Sequence, residues 1–185
     1  MNYSEYQKMV VKELGQVLER VDEKELQLAL GSIKKANKVV VYAGGREGLS
    51  LKSFTMRLEH LGKDAHWAWD DTAPAVGEGD LCIFAGGTGV VGHVYYTANE
   101  VRQRGSSVLV ITASPKSKLA SYADVLVYLP GFTPNASGDV VESGQLMGNL
   151  FEQSLLLLCD IMVMMLKDQM GISTETMASR HRNYE

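Results

Sequence analysis

Tyr6, Val10, Leu14, Val17 and Val21 recur every three or four residues, the period of an amphipathic helix, and Ser4 stands where its N-cap is expected. Asp22 followed by Glu25 reads as a capping box for a second helix, whose inner face is Leu26, Ala29, Leu30 and Ile33. From Lys38 the pattern changes. Lys38 to Ala43, Ala65 to Trp69, Leu81 to Ala85, Ser107 to Thr112 and Val125 to Leu129 are short runs, rich in β-branched or aromatic residues and bounded by Gly, Pro, Asp or Ser. Between the first two, Leu51, Phe54, Leu58 and Leu61 form a helical stripe, and Val91 to Gln103 can form another helix between the third and fourth. Strands this apolar are covered on both faces, and their alternation with helices predicts an α/β fold with a parallel, doubly wound sheet.

No internal boundary, linker or repeat interrupts the 185 residues, which predicts a single domain over 1–185. Its parts are N-terminal helices over about 4–35, sheet and helices over about 38–129, a C-terminal helix over about 147–170 and a tail over 171–185. The long irregular stretch from Pro130 to Gly144 is of the kind that is functional or mobile. The last helix, Met147 to Met170, contains the run LLLLCDIMVMML and is apolar on nearly every side. Such a helix must be buried all round, which one layer over a sheet cannot provide, so self-association is expected. Met162, Met164 and Met165 are read as packing filler.

Composition narrows the function classes. A net charge of −4 with no clustered Lys and Arg argues against a nucleic acid or an anionic membrane as partner. The run from Leu155 to Leu166 is broken by Asp160 and is shorter than a membrane span requires. Cys82 and Cys159 sit in apolar stretches without zinc-like spacing and read as buried thiols of a reducing compartment, which predicts a cytoplasmic protein.

Candidate chemistry lies in two glycine-rich loops, each following a strand and leading into a helix. The first is Ala43-Gly44-Gly45-Arg46-Glu47-Gly48 and the second is Ala85-Gly86-Gly87-Thr88-Gly89-Val90-Val91-Gly92. Glycine permits close ligand approach, and a helix N-terminus presents unpaired N–H groups, so each loop can hold an anion. Gly87, Gly89 and Gly92 also match the G-x-G-x-x-G dinucleotide spacing. The acidic residue which that fingerprint needs after the next strand is replaced by Thr112, Ala113 and Ser114, so a nicotinamide cofactor is the weakest of the readings.

The stretch from Gly44 to Gly62, GGREGLSLKSFTMRLEHLG, resembles the GxGRSGLxAKSFAMRLMHLG of 6-phospho-3-hexuloisomerases, members of the sugar isomerase (SIS) domain family. The likeness continues through Pro74, Glu78-Gly79-Asp80-Leu81, Ser114-Pro115, Ala123-Asp124 and Met147-Gly148-Asn149-Leu150-Phe151-Glu152-Gln153. It ends at Arg180-His181-Arg182-Asn183-Tyr184-Glu185, similar to the family's RHANLE. The resemblance implies a three-layer α/β/α sandwich with a five-stranded parallel sheet, assembled as a homotetramer or dimer. It implies an isomerase that moves a carbonyl between C3 and C2 of a ketose 6-phosphate through a cis-enediol, giving fructose 6-phosphate, with no metal and no cofactor.

Carried across residue by residue, the resemblance assigns acid and base roles to Glu152 and His181, and Asp70 takes the position of the family's Glu in its VGE motif. Gly45, Arg46, Glu47, Gly87, Thr88, Gly89 and Ser114 take the substrate- and phosphate-binding positions. Three hydroxyl donors of the family pattern are missing, at Glu47, Gly86 and Val91. A carboxylate at position 47 would repel a phosphate dianion at close range. The remodelled loop keeps open an alternative, a non-catalytic SIS module that binds a sugar phosphate or another carbohydrate derivative. His60, His66 and His93 have no ligand spacing, though His93 is placed to face the cleft. Trp67 and Trp69 read as core or interface rather than as sugar platforms.

Overall fold

A computed structural model describes residues 1–184. Five parallel strands, β1 (Val39–Ala43), β2 (Ala65–Trp67), β3 (Leu81–Ala85), β4 (Ser107–Thr112) and β5 (Val125–Tyr128), lie in the order β2-β1-β3-β4-β5. Val39 is in register with Ala65 on one side and Leu81 on the other. The helices are α1 (Tyr3–Leu18), α2 (Glu23–Lys35), α3 (Gly45–Leu61), α4 (Gly92–Gln103), α5 (Asn149–Gln169) and α6 (Thr174–Ser179).

Period-2 alternation within apolar strands builds two cores from the same residues. In β1, Val39, Val41 and Ala43 pack into the larger core with Leu30 and Ile33 of α2, Phe54 and Leu58 of α3, and Phe151, Leu155 and Leu158 of α5. Val40 and Tyr42 face the smaller one, with Val94 and Ala98 of α4. Chain order reverses between β1 and β3, β2 lying outside one and β4 outside the other. That is the topological switch point, where open parallel sheets bind ligands beyond the strands' carboxyl ends. Both glycine loops follow these two strands.

The element ends depart from expectation for local reasons. Asn2, rather than Ser4, caps α1, because its side chain accepts from the Glu5 N–H at 3.1 Å while Glu5 reaches back to the Asn2 N–H at 2.7 Å. β2 ends at Trp67 instead of Trp69, since Asp70 N–H turns back onto the Trp67 carbonyl at 3.1 Å. α5 begins at Asn149 rather than Met147, whose φ of +53° lies outside the helical region. The tail folds into α6, capped by Ser173.

The 130–144 stretch is irregular but anchored. Tyr128 Oη donates to the Asp139 carbonyl at 2.5 Å and Arg20 pairs with the Asp139 carboxylate at 2.7 Å. Glu13 of α1 accepts from Ser143 Oγ at 2.7 Å, from the Gly144 N–H at 2.9 Å and from Gln145 Nε2 at 3.0 Å. Burial alone would raise the Glu13 carboxyl, but these donors outweigh it and hold the group below its ordinary value. A depressed folded-state value means that the stabilisation is complete above the unfolded carboxyl's range and is lost as pH falls through the folded one. Glu13→Gln is therefore expected to cost about 1–3 kcal/mol at neutral pH in urea denaturation. The difference from the wild type should shrink as pH drops below about 4; a constant difference down to acid pH would contradict the assignment.

Both cysteines are free and buried, and burial pushes the Cys82 thiol up to about 11 and raises that of Cys159 as well. α5 is long and apolar enough to cross a membrane by composition. Its inner face is instead spent on α3 and the sheet, through Leu150, Phe151, Leu155, Leu158, Met162 and Leu166. Burial is not complete all round within the chain: Leu156, Leu157 and Met164 are exposed, and so is Leu49 beside them on α3.

Candidate functional site

Gly45, Arg46 and Glu47 occupy the first turn of α3, and Gly86 to Val91 run from the end of β3 to the start of α4. The two loops are joined by a carboxylate, as the Gly87 N–H donates to Glu47 Oε1 at 2.9 Å. Asn149 and Glu152, on the first turn of α5, close the third side. Arg46 Nη1 pairs with Glu152 Oε2 at 2.8 Å and also bonds Asn149 Oδ1. Ser50 Oγ donates to the Glu152 carbonyl at 3.1 Å, tying α3 to α5. Beside the ion pair a groove of about 280 Å³ is lined by Arg46, Leu49, Ser53, Glu152, Gln153 and Leu156. Gln153 Oε1 is buried there with no hydrogen-bond partner among the described residues.

Burial raises the Glu47 carboxyl above its ordinary value; the Gly87 N–H opposes this, and the nearby charge of Glu152 adds to it. The cleft thus holds two carboxylates and one guanidinium, and the guanidinium is engaged by Glu152.

The second loop is supported from beneath. Thr112 Oγ1 donates to the Gly86 carbonyl at 2.6 Å, and Ser114 Oγ donates to the Gly87 carbonyl at 2.9 Å while accepting from the Ser137 N–H at 3.0 Å. Ser114 is fully buried, so it acts on the loop rather than on its outer surface. The same bonds explain the residues that stand where the dinucleotide fingerprint wants an acid: their hydroxyls are needed under the loop. Along the loop, the Thr88, Gly89 and Val91 N–H groups have no hydrogen-bond partner among the described residues. Unpaired N–H groups of this kind, just before the N-terminus of α4, are able to hold an anion. At Gly86, where the family pattern has a serine, a Cβ would fall 2.9 Å from Leu119 Cδ2, so a side chain there requires the leucine's terminal methyl to move.

Gly45, Arg46, Glu47, Gly87, Thr88, Gly89, Ser114 and Glu152 are therefore brought together, whereas two of the expected residues stand apart. Asp70 lies on another flank of α3, in a groove with Lys52, His66 and Trp67. It accepts from the Thr72 hydroxyl at 2.7 Å and N–H at 2.9 Å, and these bonds lower its carboxyl. A base so satisfied is weakened. His181 follows α6 and packs its ring against that of His60, centroids 5.2 Å apart and the planes tilted by 42°, near the C-terminus of α3. That is roughly 20 Å along the helix from Arg46. Arg180 fixes the segment by donating to the His60 carbonyl at 3.0 Å. His93 faces Gly44 across the cleft rim and shares a 2.7 Å hydrogen bond with Tyr42 Oη. Trp69 is exposed and Trp67 partly buried, both packed on the Tyr42 ring. No cluster of metal-ligating side chains occurs among the described residues.

Comparison with known proteins gives the arrangement its context. The family model for the SIS domain matches residues 32–157. The chain belongs to the SIS-domain family. Over all 185 residues this SIS-domain protein is 32% identical to the 3-hexulose-6-phosphate isomerase of Bacillus subtilis, covering 100% of both chains. Its fold superposes with a TM-score of 0.84 and 24% identity on a hypothetical protein of Methanococcus jannaschii, described as inferring a molecular function of 3-hexulose-6-phosphate isomerase; 98% of this chain and 99% of that one are covered. The NanR protein of Vibrio vulnificus, complexed with ManNAc-6P, shares the fold with a TM-score of 0.75 and 21% identity, over 94% of this chain and 65% of that one.

Residue-by-residue reading passed over Asn149, Ser50, Thr112 and Gln153. Asn149 and Gln153 lie within the motif quoted around Glu152, so a signal existed for both. Ser50 lies within the quoted 44–62 stretch as well, whereas the role of Thr112 is recognisable only once β4 is seen to abut the loop.

Proposed function

We propose that this SIS-domain protein is an isomerase of a ketose 6-phosphate of the 3-hexulose type, forming fructose 6-phosphate through a cis-enediol. The observation that carries the reading is the meeting of Glu152 with the unpaired loop N–H groups at the β1/β3 switch point. One set binds an anion and the other supplies a carboxylate beside it. The full-length likeness to a protein of that activity supports the same substrate class.

Phosphate held on the loop fixes the sugar's far end and places its carbons over the cleft. Glu152 then takes the carbon-bound proton next to the carbonyl and returns a proton to the neighbouring carbon. Arg46, paired with it, orients the carboxylate. The negative oxygen that develops needs a donor, and the helix N-termini of α3 and α5 point their partial charges at this region.

Neither of the other two acid–base candidates lines the cleft within the chain, Asp70 being held by Thr72 in a separate groove and His181 lying at the other end of α3. We infer that His181 serves the cleft of a neighbouring copy. The exposed Leu49 and Leu156 line the Arg46–Glu152 groove, Leu157 and Met164 are exposed further along α5, and together they give such a copy apolar surface to bury, in a dimer or tetramer. The free, buried cysteines support a reducing, cytoplasmic location.

A binding module without turnover is the second reading, favoured by the remoteness of Asp70 and His181. The purified protein is expected to interconvert 3-hexulose 6-phosphate and fructose 6-phosphate in a coupled assay. Absence of turnover at high protein concentration, together with thermal stabilisation by fructose 6-phosphate, would replace the isomerase with the binding module.

A further inference from the structure

An acidic residue at the rim of a phosphate cradle is a contradiction unless its charge is removed when the phosphate arrives. Glu47 is that residue. Its Oε1 takes the Gly87 N–H at 2.9 Å, and its Oε2 has no hydrogen-bond partner among the described residues. The unpaired N–H groups of Thr88 and Gly89 are one and two positions along the same loop. An oxygen bound there lies within about 4–7 Å of the Glu47 carboxyl. Resting on the reading of this cleft as a phosphosugar site, we propose that Glu47 takes up one proton when a phosphate ester docks on the Thr88, Gly89 and Val91 N–H groups. As a neutral carboxyl it no longer repels the ester at that distance, and its O–H can turn toward a phosphate oxygen.

The neighbours of Glu47 decide where the proton goes. On α3 the charged neighbour is Arg46, which is engaged by Glu152 and Asn149. From α5 the neighbour is Glu152, already ion-paired, which repels a second negative charge at Glu47. Thr133, packed against Gly87, is uncharged, and the 86–91 loop itself carries no titratable side chain. From α4 the nearest is His93, on the far side of Gly44 and bonded to Tyr42. Glu47 is thus a half-buried carboxylate with no cation of its own. Burial already favours its neutral form in the empty protein, and an incoming dianion pushes in the same direction. A protonated carboxyl restores the kind of donor that a hydroxyl would supply, since an ionised one can only accept.

The signature is a proton count in a binding experiment. Fructose 6-phosphate is titrated calorimetrically into the full-length protein above pH 7.5, where the ester is a dianion, in buffers of different ionisation enthalpy. The expected result is uptake of close to one proton, with affinity falling about tenfold per pH unit above the carboxyl's range in the free protein. Glu47→Gln keeps a neutral donor of the same length, so it should bind with tightened affinity at pH 8, no proton uptake and no such slope. Binding without uptake by the wild type would overturn the proposal, because Glu47 would then swing aside as a carboxylate. Uptake persisting in Glu47→Gln would overturn it by placing the proton on Glu152 or His93. Should the Gln variant fail to fold, Glu47→Ser answers the same question. No binding from pH 6 to 8.5 would also overturn it. Turnover is not part of this readout, so loss of the isomerase reading with binding and uptake intact leaves the proton linkage standing.

Discussion

Glu152→Gln is expected to lower turnover of the hexulose phosphate by about 10²–10⁴-fold, the range that a positioned general base supplies. The substitution is nearly isosteric. The amide can still accept from Arg46 and the backbone of α5 is untouched, so what disappears is the capacity to hold a proton taken from carbon. Arg46 is more than half exposed and remains hydrated after losing its charged partner, which keeps the structural cost small. Because the phosphate cradle lies on a different element, binding of fructose 6-phosphate measured by calorimetry should stay within a few-fold of wild type, and the loss should fall on kcat. A variant with undiminished kcat would remove Glu152 from the chemistry. The same variant tests the neighbouring copy's role: mixing inactive Glu152→Gln with inactive His181→Ala should restore part of the activity, since some clefts then combine an intact Glu152 with an intact His181. No recovery on mixing would confine each site to one chain.

The two residues that failed to converge show what a linear reading can and cannot reach. Strands and their cover were legible because Val39 to Ala43 and Leu81 to Ala85 are apolar at every position, a pattern that requires helices on both faces. Glu152 was singled out by the likeness of Met147 to Gln153 to a family motif, since a carboxylate on the first turn of an apolar helix is by itself explained by the helix dipole. The partner of Glu47 was not: a backbone N–H forty residues away carries no side-chain signature, so the sequence suggests repulsion of phosphate while the fold supplies a hydrogen bond. Asp70 was assigned by position in a motif, and its capture by Thr72 depends on a turn that shortens β2 by two residues. His181 needed the length of α3, which separates its two ends by more than any side chain can span.

Gly89→Ala and Gly92→Ala should move stability in opposite directions, although both glycines belong to one fingerprint. Gly89 has a φ of +63°, and a Cβ there would overlap Ser117 Oγ and lie 2.5 Å from Ser117 Cβ. The left-handed conformation costs an alanine about 1–2 kcal/mol, and the overlap with Ser117 adds an overpacking cost of about 1–3 kcal/mol. Ser117 cannot simply rotate away, as its Cβ is involved and its Oγ accepts the Ala120 N–H at 3.3 Å. The expected loss is about 2–5 kcal/mol in urea denaturation, with weakened fructose 6-phosphate binding because the Gly89 N–H is part of the cradle. Gly92, by contrast, opens α4 with nothing within 4 Å of its Cβ position and no positive φ. Alanine there restricts the unfolded chain at no steric cost and should stabilise by about 0.4–1 kcal/mol. Equal effects at the two positions would mean that the loop is read by composition alone. Opposite effects assign Gly89 a cause of its own, a left-handed turn over Ser117, and leave Gly92 with none; at Gly87, the third glycine of the spacing, Thr133 Cγ2 would lie 2.8 Å from a Cβ. Neither cause involves a dinucleotide, and Gly92 has no packing cause at all, so a letter-for-letter match to that fingerprint arises here from the local packing of Gly87 and Gly89 with an unconstrained third glycine.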